Sequence, residues 1–455
     1  MDRTILSVVA AAFAAVVWAQ EPETARWQAA IDAANARGGG VVNVPAGRHL
    51  VGQLELKSNV ELHLEDGREL VGTGVFADYP LKPGTATPSQ KDVNGWCALL
   101  FAANATNIAV TGRGTVDGRG DLQPARTRFP EKVHDLDGRA RNILFASCRG
   151  VTVRDVTLRN PAMWNQHYFD CEDVTIENVR VFARVNYNND GLDIDSCRRV
   201  TVRGCDIDST DDAIVFKTTS PHPCEDVLVE DCRLSSQATA LKFGTESLGD
   251  FRRFRIRNLT VRPSGIQTPF VHPCHITNGI AAVEVSTVDG ALIEDVDIDG
   301  IDATGSCAAF FVRVGKRCRP LRPGGEGLAP GRLRRVRIAN LTARDMGDYG
   351  ASVSSYEEGR IAGVTLENIR IEAKGGVRAC DYVPESKFND RATGYPSPHG
   401  FGRLPAKGLF QRFASDVTVR DFSFSSKLPD VRPERLVSGL PEDVRTDAAG
   451  KGAGR

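Results

Sequence analysis

Short stretches in which apolar and polar residues alternate recur along most of this chain. Val153-Arg-Asp-Val-Thr-Leu158 is one, with apolar side chains on one face and Arg and Thr on the other. Related phrases follow at Ile176-Glu-Asn-Val-Arg-Val181, Val202-Arg-Gly-Cys-Asp-Ile207, Val229-Glu-Asp-Cys-Arg-Leu234 and Ile256-Arg-Asn-Leu-Thr-Val261. More appear at Ile293-Glu-Asp-Val-Asp-Ile298, Leu366-Glu-Asn-Ile-Arg-Ile371 and Val419-Arg-Asp-Phe-Ser-Phe424. From Val153 the steps to Ile176, Val202, Val229 and Ile256 are 23, 26, 27 and 27 residues. Alternation at period two marks strands with one buried face, and a Gly or polar step joins two such strands in each unit. One unit is too short to bury its apolar face alone. It does so if the chain winds into coils that stack, so a period of 20 to 30 residues built from strands predicts a parallel β-helix. A leucine-rich repeat would carry an asparagine-leucine consensus, which is missing, and a sandwich needs no regular step. A helix is expected over 24–34, with Trp27, Ala30, Ile31 and Ala34 on one side, covering the first coil. Residues 379–411 interrupt the repeat and read as a loop excursion packed outside the coils.

The repeat changes what length means. At 455 residues the chain would ordinarily suggest about three domains. Here 20–435 forms one continuous solenoid, followed by a frayed tail over 436–455. Lys and Arg number 57 against 58 Asp and Glu, which weighs against a general nucleic-acid binder or a polybasic membrane-surface protein. Hydrophobic residues at 41% and charged residues at 25% exclude wholesale disorder. Beyond the N-terminus no apolar run reaches the ~18 residues of a membrane span.

Residues 1–19 read as an export signal: Arg3, an apolar core from Ile5 to Trp18, and a small-x-small site at Val17-Trp18-Ala19. The expected location is therefore secreted or periplasmic. Eleven cysteines in an exported chain would by default form disulfides, with one thiol left over. Cys148, Cys171, Cys197 and Cys224 each stand three residues before a Val, which suits small apolar fillers stacked inside the fold instead. The cysteines form no convincing C-x-x-C zinc pattern and the eight His no H-x-x-x-H, so neither metal nor cofactor is expected.

Acids concentrate in one region: Asn188-Asn189-Asp190-Gly191-Leu192-Asp193-Ile194-Asp195, then Ser209-Thr210-Asp211-Asp212. Asp190 lies 21 residues from Asp211 and 22 from Asp212, close to one coil. The three carboxylates then sit on adjacent coils, about one strand spacing of ~4.8 Å apart. They cannot all ionise freely, so at least one is held protonated beside an ionised neighbour, as acid–base chemistry requires. A single Asn-x-Asp-Gly or Asp-Asp would signify only a turn; the one-coil spacing gives these their weight.

The run Asn188-Asn189-Asp190-Gly191 with Asp211-Asp212-Ala-Ile-Val-Phe-Lys217 resembles glycoside hydrolase family 28, the polygalacturonase-like enzymes. Gly38-Gly-Gly-Val-Val-Asn-Val-Pro-Ala-Gly47, Leu56-Lys-Ser-Asn-Val-Glu-Leu-His63 and Asn160-Pro-Ala-Met-Trp164 extend the likeness over about residues 25–430. The resemblance implies an all-β, right-handed parallel β-helix with a short N-terminal capping helix. It implies hydrolysis of pectic or related acidic polysaccharide, with Asp211 as general acid and Asp190 and Asp212 placing and deprotonating the attacking water. It also implies inversion, although carboxylates ~5 Å apart would by the general rule favour retention. Two departures stand out. Thr239 occupies the place of the family's histidine, and Glu284 lies where its Arg-Ile-Lys motif would be.

Two readings stay open: Lys217 and Lys242, on adjacent coils, supply the lost positive charge, or the substrate is a neutral sugar linked within a pectic or other acidic glycan. Asn188, Trp164, Gln166, His167 and Arg313 complete the expected substrate-binding set, Trp164 by stacking on a sugar ring. The expected partner is a poly- or oligosaccharide, without nucleic acid or membrane, and the expected state is a monomer. A polysaccharide lyase and a non-catalytic glycan-binding solenoid are the competing functions.

Overall fold

The computed structural model describes residues 22–92, 96–123, 139–266 and 279–440. The export segment 1–19 and the end of the tail lie outside the described residues. The strands fall into two parallel sheets, one of 19 strands and one of 12, and the chain alternates between them as it winds. This is a parallel β-helix.

The repeat maps onto the long sheet. Val153 pairs with Ile176, Ile176 with Val202, Val202 with Val229 and Val229 with Ile256. The column continues through Ile298, Ile338, Leu366 and Val419. The phrase beginning at Ile293 is thus displaced: Ile293 pairs with Phe251, and Ile298-Asp-Gly-Ile-Asp-Ala303 stacks on Ile256. Ile338-Ala-Asn-Leu-Thr-Ala343 is a further coil of the same type. The third position of each phrase explains the alignment. Asp155, Asn178, Gly204, Asp231, Asn258, Gly300, Asn340, Asn368 and Asp421 all have φ between 50° and 79°. Each is a left-handed corner, and Gly, Asn and Asp tolerate that conformation best.

The short sheet was not visible in the repeat. Its strands include Gln166–Phe169, Leu192–Asp195, Ile214–Thr218, Thr239–Ser247, Ala281–Thr287 and Ala308–Val314, and every residue in them is buried. Alternation sends Tyr168, Ile194, Phe216, Phe243, Val285 and Val312 into the central column. The outward row runs Phe101, Leu144, His167, Asp193, Val215, Lys242, Glu284 and Phe311 in successive register. A sheet face pointing away from the core is buried only if something roofs it. Trp96, at the end of the 78–96 segment, stacks on His167 with ring centroids 5.8 Å apart and packs on Phe101, Leu144 and Phe169. The excursion over 379–411 roofs the later coils: Phe401 lies 5.4 Å from Phe311.

The helix Thr24–Ala36 buries Trp27, Ile31 and Ala34 against the first coil. At the other end Arg435–Ser438 pairs with Leu409–Arg412, so the solenoid runs past residue 435 and into the expected tail. No disulfide joins two of the described cysteines, and Cys148, Cys171, Cys197 and Cys224 are free thiols. Cys148, Cys171, Cys197 and Cys224 form a buried row one residue before the paired Arg149, Glu172, Arg198 and Glu225.

Candidate active site

Asp190 and Asp212 occupy the turns that lead into Leu192–Asp195 and Ile214–Thr218, with Asp211 just before Asp212. Because those strands stack in register, the turns stack too, and Gly191 N–H donates to the Asp212 carbonyl at 2.9 Å. Asp190, Asp211 and Asp212 each bring a carboxylate oxygen within 4.8 Å of the others. They line a cavity of about 180 Å3 with Lys91, Arg139, Met163, Trp164, Asn188, Lys217, Thr245, Glu246 and Tyr395.

Charge is distributed unevenly among the three acids. Burial, then the charge of Asp211, holds Asp190 well above the ordinary carboxylate range. Asp211 is also raised, by burial and by the neighbouring Asp212. Groups this close titrate as a unit, one keeping its proton as the other loses it. Asp212 has different partners. Lys242 Nζ donates to its Oδ2 at 2.8 Å, and the Thr239 N–H donates to its Oδ1 at 3.1 Å. Burial opposes the charge on Lys242, but Asp212, Tyr395, Glu284 and Asp211 together outweigh it and raise the ammonium.

Lys217 forms a second centre, 3.8 Å from Asp190, 3.5 Å from Asp193 and 3.4 Å from Glu246. Asp193 is fully buried, neither of its oxygens accepts a hydrogen bond, and burial pushes it to about 8 against the pull of Lys217. Burial would also raise Glu246, yet Lys91, Lys217 and Arg319 hold it well below the ordinary range. Three convergent carboxylate oxygens suit a hard divalent cation in number. The ammonium groups of Lys217 and Lys242 already answer that charge.

Trp164 and Asn188 line the cavity. The Lys217 ammonium sits 4.7 Å from the Trp164 ring centroid, and Asn188 donates to Asp211 at 3.4 Å. The remaining candidates lie elsewhere. Gln166 points into the column, donating to the Gly191 carbonyl at 3.3 Å and accepting from the Tyr168 hydroxyl at 2.9 Å. His167 points outward but is sealed under Trp96, with Nε2 3.1 Å from Asp195, and burial lowers it to about 4. Arg313 is 1% exposed and pairs with Asp390 of the excursion at 2.8 Å. These three hold the scaffold and stand off the cavity. Lys242 sits behind Asp212 and Tyr395, its charge directed at the acid and away from open space.

Glu284, beside Lys242 on the next coil, is buried and lies outside the cavity lining. It accepts from Ser286 at 3.0 Å and from Thr239 at 3.4 Å, and burial pushes it to about 7. Sequence reasoning missed Lys91, Arg139, Glu246 and Tyr395. Lys91, Arg139 and Tyr395 come from outside the repeat, while Glu246 lies on the strand Thr239–Ser247 without any motif to mark it.

Residues 38–239 match the sequence profile described as glycosyl hydrolases family 28. Over that segment the chain is similar to the family. The family 28 match contains Trp164 and all three acids, and it stops before Lys242, Glu246, Glu284 and Tyr395. A probable polygalacturonase of Vitis vinifera is 28% identical over 188 residues, 40% of this chain and 38% of that protein. An exopolygalacturonase of Platanus acerifolia is 27% identical over 189 residues, 41% of this chain and 46% of that protein. The chain thus spans less than half the length of these relatives. Among solved structures, an exopolygalacturonase from Thermotoga maritima aligns with TM-score 0.60 and 22% identity, covering 78% of this chain and 84% of that one. At that identity the likeness concerns the β-helix alone.

Proposed function

We propose that the protein is an exported glycoside hydrolase that cleaves O-glycosidic bonds in an acidic, pectic-type polysaccharide. The observation that carries this is the triplet Asp190, Asp211 and Asp212, converging within 4.8 Å in a cavity, with two of the three held toward their neutral forms. The family 28 match over residues 38–239 and the polygalacturonase names of the relatives support the same reading. So does local charge: Lys91, Arg139 and Lys217 line the cavity, while Asp190 and Asp211 are both held toward their neutral forms.

Asp211, the half-buried member of the raised pair, delivers its proton to the leaving glycosidic oxygen. Asp212, tied to the Lys242 ammonium, receives a proton from the attacking water, and Asp190 holds that water from the adjacent coil. General acid–base steps of this kind contribute about 10²–10⁴-fold each. Inversion follows from water making the attack. Asp212 is engaged by Lys242 and Asp190 leans to its neutral form, so neither is free to act as a carbon nucleophile. The separation within 4.8 Å is shorter than the ~6.5–9.5 Å usual for inverting pairs, so the anomeric form of the first product, read by NMR, is the check on this step.

The function is tested on a panel of polygalacturonate, rhamnogalacturonan and neutral oligosaccharides, with product mass as the readout. Asp211→Asn and Asp212→Asn each lower turnover by about 10²–10⁴-fold while the fold is kept. A fully active double variant sinks the assignment. An unsaturated, ultraviolet-absorbing product points to a lyase instead, and binding without new reducing ends points to a glycan-binding solenoid.

A further inference from the structure

A polymer that is cut internally needs an open groove on both sides of the acids. The face of the short sheet flanking them is not open. Its outward row is at most 4% exposed at every position from Phe101 to Phe311. On the N-terminal side the roof is Trp96, which rests on Phe101, Leu144, His167 and Phe169. The segment before it is stitched down: Ser89 Oγ lies 2.6 Å from Thr219 Oγ1, and Arg322 bonds Asp92 at 2.6 Å. On the C-terminal side the roof is the excursion, held by Asp390 on Arg313 and by the Lys316 N–H on the Ala392 carbonyl at 2.7 Å. Three residues beyond Ala392, Tyr395 reaches the acids. Its hydroxyl meets Lys242 Nζ at 3.0 Å, and 48% of its surface stays exposed.

What remains between the two roofs, among the described residues, is a cavity of about 180 Å3. Sites that take whole drug-sized ligands span about 300–1,000 Å3, so this space suits one sugar ring more than a run of them. We infer that the site is a pocket for the end of a glycan chain, walled toward the C-terminal coils by Tyr395, and that cleavage proceeds by release of short units from that end. This rests on the hydrolase reading above and adds the mode of cutting. The wall lies outside residues 38–239, so it belongs to this chain's own excursion and not to the matched segment. Tyr395 is a specificity-determining residue here: its ring bounds the space into which substrate extends, and its hydroxyl steadies the ammonium behind Asp212.

The experiment follows products from a long polyuronide over time by mass and viscosity. The wild-type protein should release short units of fixed length from the first time point, with little fall in viscosity. Tyr395→Ala, and separately replacement of residues 391–399 by a short Gly-Ser linker, should add a ladder of mixed oligomers and a faster viscosity loss. An early mixed ladder from the wild-type protein overturns the inference. So does short-unit release that neither variant alters. If no glycan is cut, the hydrolase reading fails on its own, and the pocket is still measured by binding of oligouronides of increasing length to Asp211→Asn. Affinity that levels off after a short oligomer upholds it. Affinity that climbs with every added unit, or no binding at any length, overturns it.

Discussion

Glu284 shows how a residue that looks wrong for an acidic substrate fits its surroundings. It touches Ser286 and Thr239, stands beside Lys242 in register, and is screened from the cavity. Its carboxyl rises from 4.5 to about 7, chiefly through burial. The folded protein therefore binds that proton more tightly than the unfolded chain does. Its contribution to stability is full below about pH 4.5 and is lost as pH rises to about 7; the shift amounts to roughly 3 kcal/mol. Glu284→Gln should flatten this fall, so that denaturant midpoints of variant and wild type diverge in the variant's favour between pH 5 and 8. Equal slopes across that window would contradict the buried-acid account. The three clustered acids, Asp190, Asp211 and Asp212, were legible because their spacing matched one coil. Gln166 and His167 were not. In a four-residue strand the phase of alternation decides which side chain faces the core, and the roof that seals His167 comes from Trp96, about 70 residues away.

Among the elements, the corner residues carry the fold as much as the apolar column does. Each of these coils has a left-handed corner at this position, and side chains there link neighbouring coils, as Asn178 does to Asp155 and Asn258 to Asp231, both at 3.1 Å. Gly300 holds φ 79° at this corner, and a Cβ there would meet the Asn258 side-chain oxygen at 3.1 Å and that residue's backbone at an ordinary 3.4 Å. The backbone conformation, more than space, then sets the penalty. Gly300→Val should destabilise by about 1–2 kcal/mol, and Gly300→Asn by clearly less, in equilibrium unfolding. Equal losses would show that packing, and not the corner, decides. The repeat revealed these corners as a Gly/Asn/Asp step. It hid the short sheet, whose strands are buried on both faces and so lack the alternation that marks a half-buried strand. The excursion could be seen as an interruption, but its reach could not. That depends on Arg313 meeting Asp390, a contact that no local pattern announces.

Over the whole molecule, the solenoid replaces a globular centre with a column in which each coil touches mainly its two neighbours. The cysteine row follows that column. Burial raises the thiols of Cys171, Cys197 and Cys224, and the bond from Cys171 together with burial raises that of Cys148. A maleimide or iodoacetamide reacts with accessible thiolate, and these four offer neither access nor thiolate while their coils are closed. Cys380, exposed on the excursion, should label in the native protein while the four stay dark; peptide mass spectrometry separates the sites, and a row thiol that labels as fast as Cys380 would refute the stacking. With no cross-link among the described cysteines, each of the four becomes a clock for its own coil. Its labelling rate would time the local opening of one turn of the helix, and the four rates read in order would show whether the column unzips from an end or parts all at once.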